Sequence, residues 1–326
     1  MLQILAALCA FVLSAIFGKC LIPALRALKA GQSIREIGPK WHAGKAGTPT
    51  MGGISFIAAT AVCVVAFGWK DMLAGNCEHL FALGFALIFG IIGFVDDFMK
   101  VKFHRNLGLS ALQKLLLQLA AAGGYLAILR ATGSLSGELY IPFAQLSLPI
   151  NRIVYAIFAM FVIVGGVNAV NLTDGVDGLA SSVTIPVMIF FAVAAVVWGQ
   201  GTLGLVPAAM TGALAGFLIH NLHPAKMFMG DTGSLFLGGL VCGLAFALDM
   251  PLILLLVGLI YIAETLSVIL QVAYFKLTHG KRIFRMTPIH HHFEMLGWSE
   301  GKIVTVFTAI TAAACILAWI GVRGRI

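Results

Sequence analysis

Apolar residues run through this chain in long unbroken stretches, each bounded by a short cluster of charged or turn-forming residues. A helix needs about 20 mainly apolar residues to cross the hydrocarbon of a bilayer. Ten segments meet that need, centred near Val12, Val62, Leu87, Leu119, Met160, Val193, Leu214, Leu240, Ile262 and Thr311. The pattern predicts an all-α integral membrane protein of about ten transmembrane helices, because only internally hydrogen-bonded elements survive in lipid. An even number puts both termini on one side. The first run has no basic stretch and no small-residue cleavage site before Lys19, so it reads as a retained span. No repeat and no linker interrupts the pattern, and residues 1–326 read as a single polytopic membrane domain.

Composition agrees with that pattern. Of the 326 residues 60% are hydrophobic and 10% charged, and the mean hydropathy is +1.00. Soluble domains carry about 25% charged residues. The six cysteines are scattered, with no paired spacing for a metal or redox site, and read as small apolar packing. The net charge of +8 does not point to nucleic acid, since the cations are spread over short loops.

Their distribution sets the sidedness. Loops after odd-numbered spans hold 14 of them: Lys29, Arg35, Lys40, Lys45, Lys100, Lys102, Arg105, Lys114, Lys226, Lys276, Lys281, Arg282, Arg285 and Lys302. Even loops and the C-terminus hold five: Lys70, Arg130, Arg152, Arg323 and Arg325. Positively charged loops stay cytoplasmic. Both termini are then expected on the extracytoplasmic side. Between spans four and five, the alternation over residues 137–148 suggests a small outer β-hairpin, with an irregular amphipathic loop as the alternative.

Every concentrated polar motif falls on the basic side. Asp96 and Asp97 end the third span, where two adjacent carboxylates are costly near hydrocarbon unless a cation or donors hold them. That pair can handle Mg²⁺ or a proton, with Lys100 one turn onward to meet a phosphate. Asn168, Asn171, Asp174 and Asp177 recur every three positions across the end of span five, and Gly175 and Gly178 break the helix there. Asn221 leads through Phe228 to Asp231, which opens span eight in the order Gly230, Asp231, Thr232, Gly233, Ser234. A helix start of this kind either caps itself or attracts a diphosphate and its metal. His220 reads as structural. His290, His291 and His292 suit phosphate contact or metal binding, and zinc is disfavoured because consecutive residues rarely converge on one ion. Lys45 and Thr48 precede two glycines before span two, and Glu264 and Gln271 lie inside span nine. Intramembrane polar groups of this kind are functional candidates.

Taken together these motifs resemble the polyprenyl-phosphate hexose-1-phosphate transferase superfamily and, within it, the phospho-N-acetylmuramoyl-pentapeptide transferase family. The residues that carry the resemblance are Thr48 through Gly53, Asp96-Asp97 with Lys100, Asn168 through Leu179, Gly230 through Ser234, and Pro288 through Glu294. The resemblance implies ten spans with outward termini and a place in the bacterial cytoplasmic membrane. It implies transfer of phospho-MurNAc-pentapeptide from UDP-MurNAc-pentapeptide to undecaprenyl phosphate, giving lipid I and UMP, with Mg²⁺ as cofactor and a homodimer as the assembly. Asp96, Asp97, Asp231 and His290 are then expected to be catalytic, with Asp231 on the metal. Lys45, Thr48, Lys100, Asn171, Asp174, Asp177, Asn221, Phe228, Gln271, His291 and His292 are expected to bind substrate. A sister transferase for N-acetylglucosamine phosphate, or a lipid or nucleotide-sugar transporter, stands as the alternative. A transporter would place its polar groups near the midplane.

Overall fold

The structure is a computed structural model and describes residues 1–28, 45, 47–103 and 107–324. Lys29, Arg35, Lys40, Arg105 and Arg325, counted above among the loop cations, lie outside these residues. The chain folds into α1 (Leu2–Ala27), α2 (Gly53–Leu73), α3 (Glu78–Lys102), α4 (Ala111–Ala131), α5 (Arg152–Thr173), α6 (Leu179–Val197), α7 (Leu205–Asn221), α8 (Gly230–Ala247), the short α9 (Leu254–Val257), α10 (Leu259–Leu277), the short α11 (Ile289–Met295) and α12 (Glu300–Val322). It is an integral membrane protein built of helices. Among the described residues, nine helices are long and apolar enough to cross a bilayer. The tenth apolar segment, α7, has 17 residues, because the turn over residues 198–204 delays its start.

Local chemistry sets several boundaries. Ser110 opens α4 with a reciprocal capping box: its hydroxyl accepts from the Gln113 N–H while the Gln113 side chain accepts from the Ser110 N–H. Ser299 caps α12 by accepting from the Lys302 N–H. A 3₁₀ turn over Pro251–Ile253 and the break at Gly258 divide the apolar run that leads into α10. Between α4 and α5, β1 (Glu138–Ile141) pairs antiparallel with β2 (Leu146–Pro149), with Leu139 opposite Leu148. The hairpin tip docks on the end of α12, where the Phe143 N–H donates to the Gly321 carbonyl at 2.9 Å.

Burial orders the bundle around α8. Of the apolar stretch in α8, 89% lies inside the protein, against 22% in α1 and 28% in α4 and in α10. The most extensive interface among the described residues joins α3 to α8. It closes at Gly93, where an added Cβ would strike the backbone of Asp231 and Thr232. This approach brings the end of α3 against the start of α8. It puts Asp96 and Asp97 within reach of Asp231.

Candidate active site

Asp96 and Asp97 sit in the last turns of α3, wholly or nearly buried, and their side chains part company. One oxygen of Asp97 accepts from the Thr232 N–H at 2.9 Å and from the Thr232 hydroxyl at 2.8 Å, which ties α3 to the first turn of α8. Gly230 makes the same junction and has φ +71°, where an added Cβ would meet both Asp97 and Thr50. Asp96 instead accepts from the Leu109 N–H at 2.7 Å through Oδ1, holding the chain that leads into α4. Its Oδ2 lies 2.6 Å from the Lys100 ammonium and 3.0 Å from that of Lys114.

Asp231, in the first turn of α8, completes the cluster. Its Oδ2 pairs with Lys100 at 3.0 Å and with Lys114 at 2.8 Å, while Oδ1 accepts from the Asn171 amide at 3.1 Å. Asn171 also donates to the Ser234 hydroxyl at 2.8 Å, locking the end of α5 against α8. Three carboxylates thus meet two ammonium groups and one amide, drawn from α3, α4, α5 and α8. Oxygens of Asp96, Asp97 and Asp231 all lie within 4.8 Å of one another. Hard oxygen donors at that spacing fit a divalent cation such as Mg²⁺.

A second cluster stands at the far end of the 168–178 loop. The Lys45 ammonium bridges Asp177 and Glu300 at 2.7 Å each. The other oxygen of Asp177 accepts from the Ala225 N–H at 3.0 Å and faces His223 Nδ1 at the same distance, and Glu300 also accepts from the Asp177 N–H. These residues line a cavity of about 630 Å³ whose wall includes Thr48, Glu294 and Trp298. Between the clusters, partial burial and then the carboxylates of Asp231, Asp97 and Asp177 push Asp174 well above the usual carboxylate range, against the pull of Lys45.

The profile of glycosyl transferase family 4 matches residues 79–249, more than half of the chain. The first signature of phospho-N-acetylmuramoyl-pentapeptide transferases matches residues 45–57, which include Lys45 and Thr48. A phospho-N-acetylmuramoyl-pentapeptide transferase of Thermoanaerobacter sp. (strain X514) is 49% identical over 97% of both chains. The corresponding transferase of Clostridium acetobutylicum is 47% identical over 97% of this chain and 98% of its own. The chain belongs to the phospho-N-acetylmuramoyl-pentapeptide transferase family. Identity over nearly the whole length carries that membership beyond any single motif.

Within this family member, the histidine triplet splays. His290 is fully buried, with Nδ1 3.0 Å from Glu264 and its ring against Gly175 of the 168–178 loop. His291 pairs with Glu294 at 2.6 Å. His292 turns away and accepts from the Arg285 N–H at 3.2 Å. Phe293 packs beside Trp298 and edge-on to Phe307, which docks α11 on α12.

Other expected residues are engaged in shaping loops. The Gln271 oxygen accepts from the Ile283 and Phe284 N–H groups at 3.0 Å, and its nitrogen donates to the Phe284 carbonyl. Asn221 donates to the Met227 carbonyl at 3.0 Å and so bends the segment that presents Phe228. Phe228, half-buried, exchanges backbone hydrogen bonds with Pro49 and Gly52. His220, read from the sequence as structural, meets the Ala15 carbonyl at 2.9 Å and ties α7 to α1.

Three residues that sequence reasoning passed over stand inside the clusters: Lys114, His223 and Glu300. Lys114 had a signal, since a cation in the first turn of a helix opposes the helix dipole and calls for a nearby anion. Glu300 had none, because an acid in a first turn is favourable on its own. His223 lies in a loop whose course only the fold displays.

Proposed function

We propose that this chain transfers phospho-MurNAc-pentapeptide from UDP-MurNAc-pentapeptide to undecaprenyl phosphate, releasing UMP and forming lipid I. The observation that carries the reading is the meeting of Asp96, Asp97 and Asp231 with Lys100 and Lys114 at one end of the bundle, in a chain that is a member of this family. Transfer between two phosphate-bearing substrates asks for charge neutralisation and in-line placement above all. Both lysines reach Asp231 and Asp96 from side chains long enough to turn toward a phosphate.

Asp231, with Asp97 and Asp96, would hold Mg²⁺, which supplies Lewis-acid neutralisation of the diphosphate when bound. Lys100 and Lys114 exchange carboxylate partners for phosphate oxygens as substrate arrives. Asn171 keeps Asp231 oriented as the lysines turn to the substrate. The lipid phosphate attacks the β-phosphorus directly, since a monoester with a second pKa of about 6 is mostly dianionic at neutral pH. Asp97 is the better placed of the adjacent pair to accept a residual proton or steer the lipid head, because only its Thr232-bound oxygen is fully engaged while Asp96 is committed at both oxygens. The Lys45 cluster and its cavity take the larger, outlying portion of the nucleotide substrate, with Phe228, Thr48 and His291 nearby in sequence or space to them.

All these groups lie at the ends of helices joined by the cation-rich loops, which supports an active site on the cytoplasmic face with both termini outside. At about 26 Å, α7 is long enough to serve as a tenth crossing. The assembly is a homodimer in the bacterial inner membrane. The deciding experiment gives purified protein UDP-MurNAc-pentapeptide, UDP-N-acetylglucosamine, undecaprenyl phosphate and Mg²⁺ in separate combinations. UMP release that needs the MurNAc nucleotide, the lipid and the metal together is expected. Release with UDP-N-acetylglucosamine instead, or none at all, overturns the reading.

A further inference from the structure

One turn deeper into the bundle than Lys114, α4 carries Gln118, and one turn deeper than Asn171, α5 carries Asn168. The two amides face each other: Asn168 Nδ2 donates to Gln118 Oε1 at 2.8 Å and also to the Val164 carbonyl at 2.8 Å. Lys114 and Asn171 both bind Asp231. Two polar rungs therefore span α4 and α5, the first at the acid and lysine cluster and the second about 6 Å further into the membrane.

The second rung is not a closed clamp. Gln118 is 1% exposed, yet its Nε2 has no hydrogen-bond partner among the described residues. A buried amide donor left unmatched in a spanning helix is costly, and an apolar pair would join the helices without that cost. Side chains on a helix lean toward its N-terminus, which for α4 is the end that holds Lys114. Asn168, in turn, is exposed and ends a stripe on α5 that includes Ile157, Phe161 and Gly165, all open to the surroundings. An apolar path on the outside of α5 thus runs down to an amide pair and then to two lysines.

We infer that Gln118, with Asn168 as its support, binds the head of the lipid acceptor: the Gln118 amide donates to the phosphate ester of a long-chain lipid phosphate whose charged oxygens meet Lys114 and Lys100. The lipid reaches the cluster along the exposed α5 stripe, chain in the bilayer and phosphate leading. A water-soluble phosphate has no use for a donor on the membrane side of the lysines. This inference rests on the transferase reading for the identity of the acceptor, and its test is chosen to work without turnover.

The test is the rise in melting temperature of the full-length protein in detergent as undecaprenyl phosphate is titrated, beside the rise given by UDP-MurNAc-pentapeptide with Mg²⁺. In Gln118→Met, which keeps length and apolar volume, half-maximal stabilisation by the lipid is expected at about tenfold higher concentration, with the nucleotide response unchanged. Gln118→Glu keeps an oxygen for Asn168 and replaces only the donor, so it serves if the Met variant folds poorly and should weaken the lipid response at least as much. Unchanged lipid affinity in both variants, or equal weakening toward lipid and nucleotide, overturns the inference. So does inorganic phosphate that stabilises the protein and loses its effect in the same variants. A protein that binds the lipid in a Gln118-dependent way but releases no UMP would sink the transferase reading and leave this one standing.

Discussion

At one end of the 168–178 loop, three carboxylates meet two lysines in the seam where α3 closes on α8, with Asp96 wholly buried. At the other end, Asp177 and Glu300 share the single ammonium of Lys45 beside an exposed His223 and an open cavity. The residue types are nearly the same, but the settings are opposed. In the first cluster every charged group is carried by a spanning helix: Asp96 and Asp97 are buried and fixed, while Lys100 and Lys114 stay partly exposed and can turn toward an arriving phosphate. In the second the partners come from loops and first turns, so the charges can separate to admit a bulky group. On the proposed function, charge density near the reacting phosphates falls to the seam between α3 and α8, and accommodation of the rest of the substrate falls to the open end.

Substitutions at the two ends should therefore act on different kinetic constants. Asp231→Asn removes a carboxylate from the seam and is expected to lower kcat by about a thousandfold at saturating Mg²⁺. UMP release above a tenth of the wild-type rate would break the assignment of the chemistry to that cluster. Gly93→Ala places a methyl group against the Asp231 backbone, shifting the cluster without changing any of its charges. A loss of about tenfold or more in kcat is expected, since small misplacements cost catalysis heavily; melting temperature measured in parallel separates misplacement from unfolding. Glu300→Gln in the open cluster should raise KM for the nucleotide substrate about fivefold, as one charge-assisted bond becomes neutral, and leave kcat within about twofold. A fall in kcat matching that of Asp231→Asn would erase the distinction between the two ends.

The histidines sharpen the same contrast within one short helix. His290 is locked to Glu264 and faces Gly175 of the shared loop, whereas His292 accepts from the Arg285 backbone and braces its own loop. Three identical neighbours thus take three different partners, because consecutive residues on a helix point about 100° apart. Gln271 and Asn221 similarly spend their amides on the 283–284 and 227 backbones. These hydrogen bonds fix the shape of the loops beside the site.

The sequence by itself determined the membrane class, the places of the long helices and the stations of the acidic, amide and imidazole motifs, because lipid forces long apolar runs and isolates polar exceptions among them. Glycine spacing even marked the helix breaks at residues 175 and 178. What only the tertiary structure decided is partnership: that Lys114 and not Lys100 alone balances Asp231, that Glu300 and His223 join Asp177, and that Asp96 and Asp97 turn to different neighbours. Those pairings depend on how closely α3 approaches α8 at Gly93 and on the direction each side chain leaves its helix. Neither quantity is local to the residues concerned, so no stretch of sequence contains it.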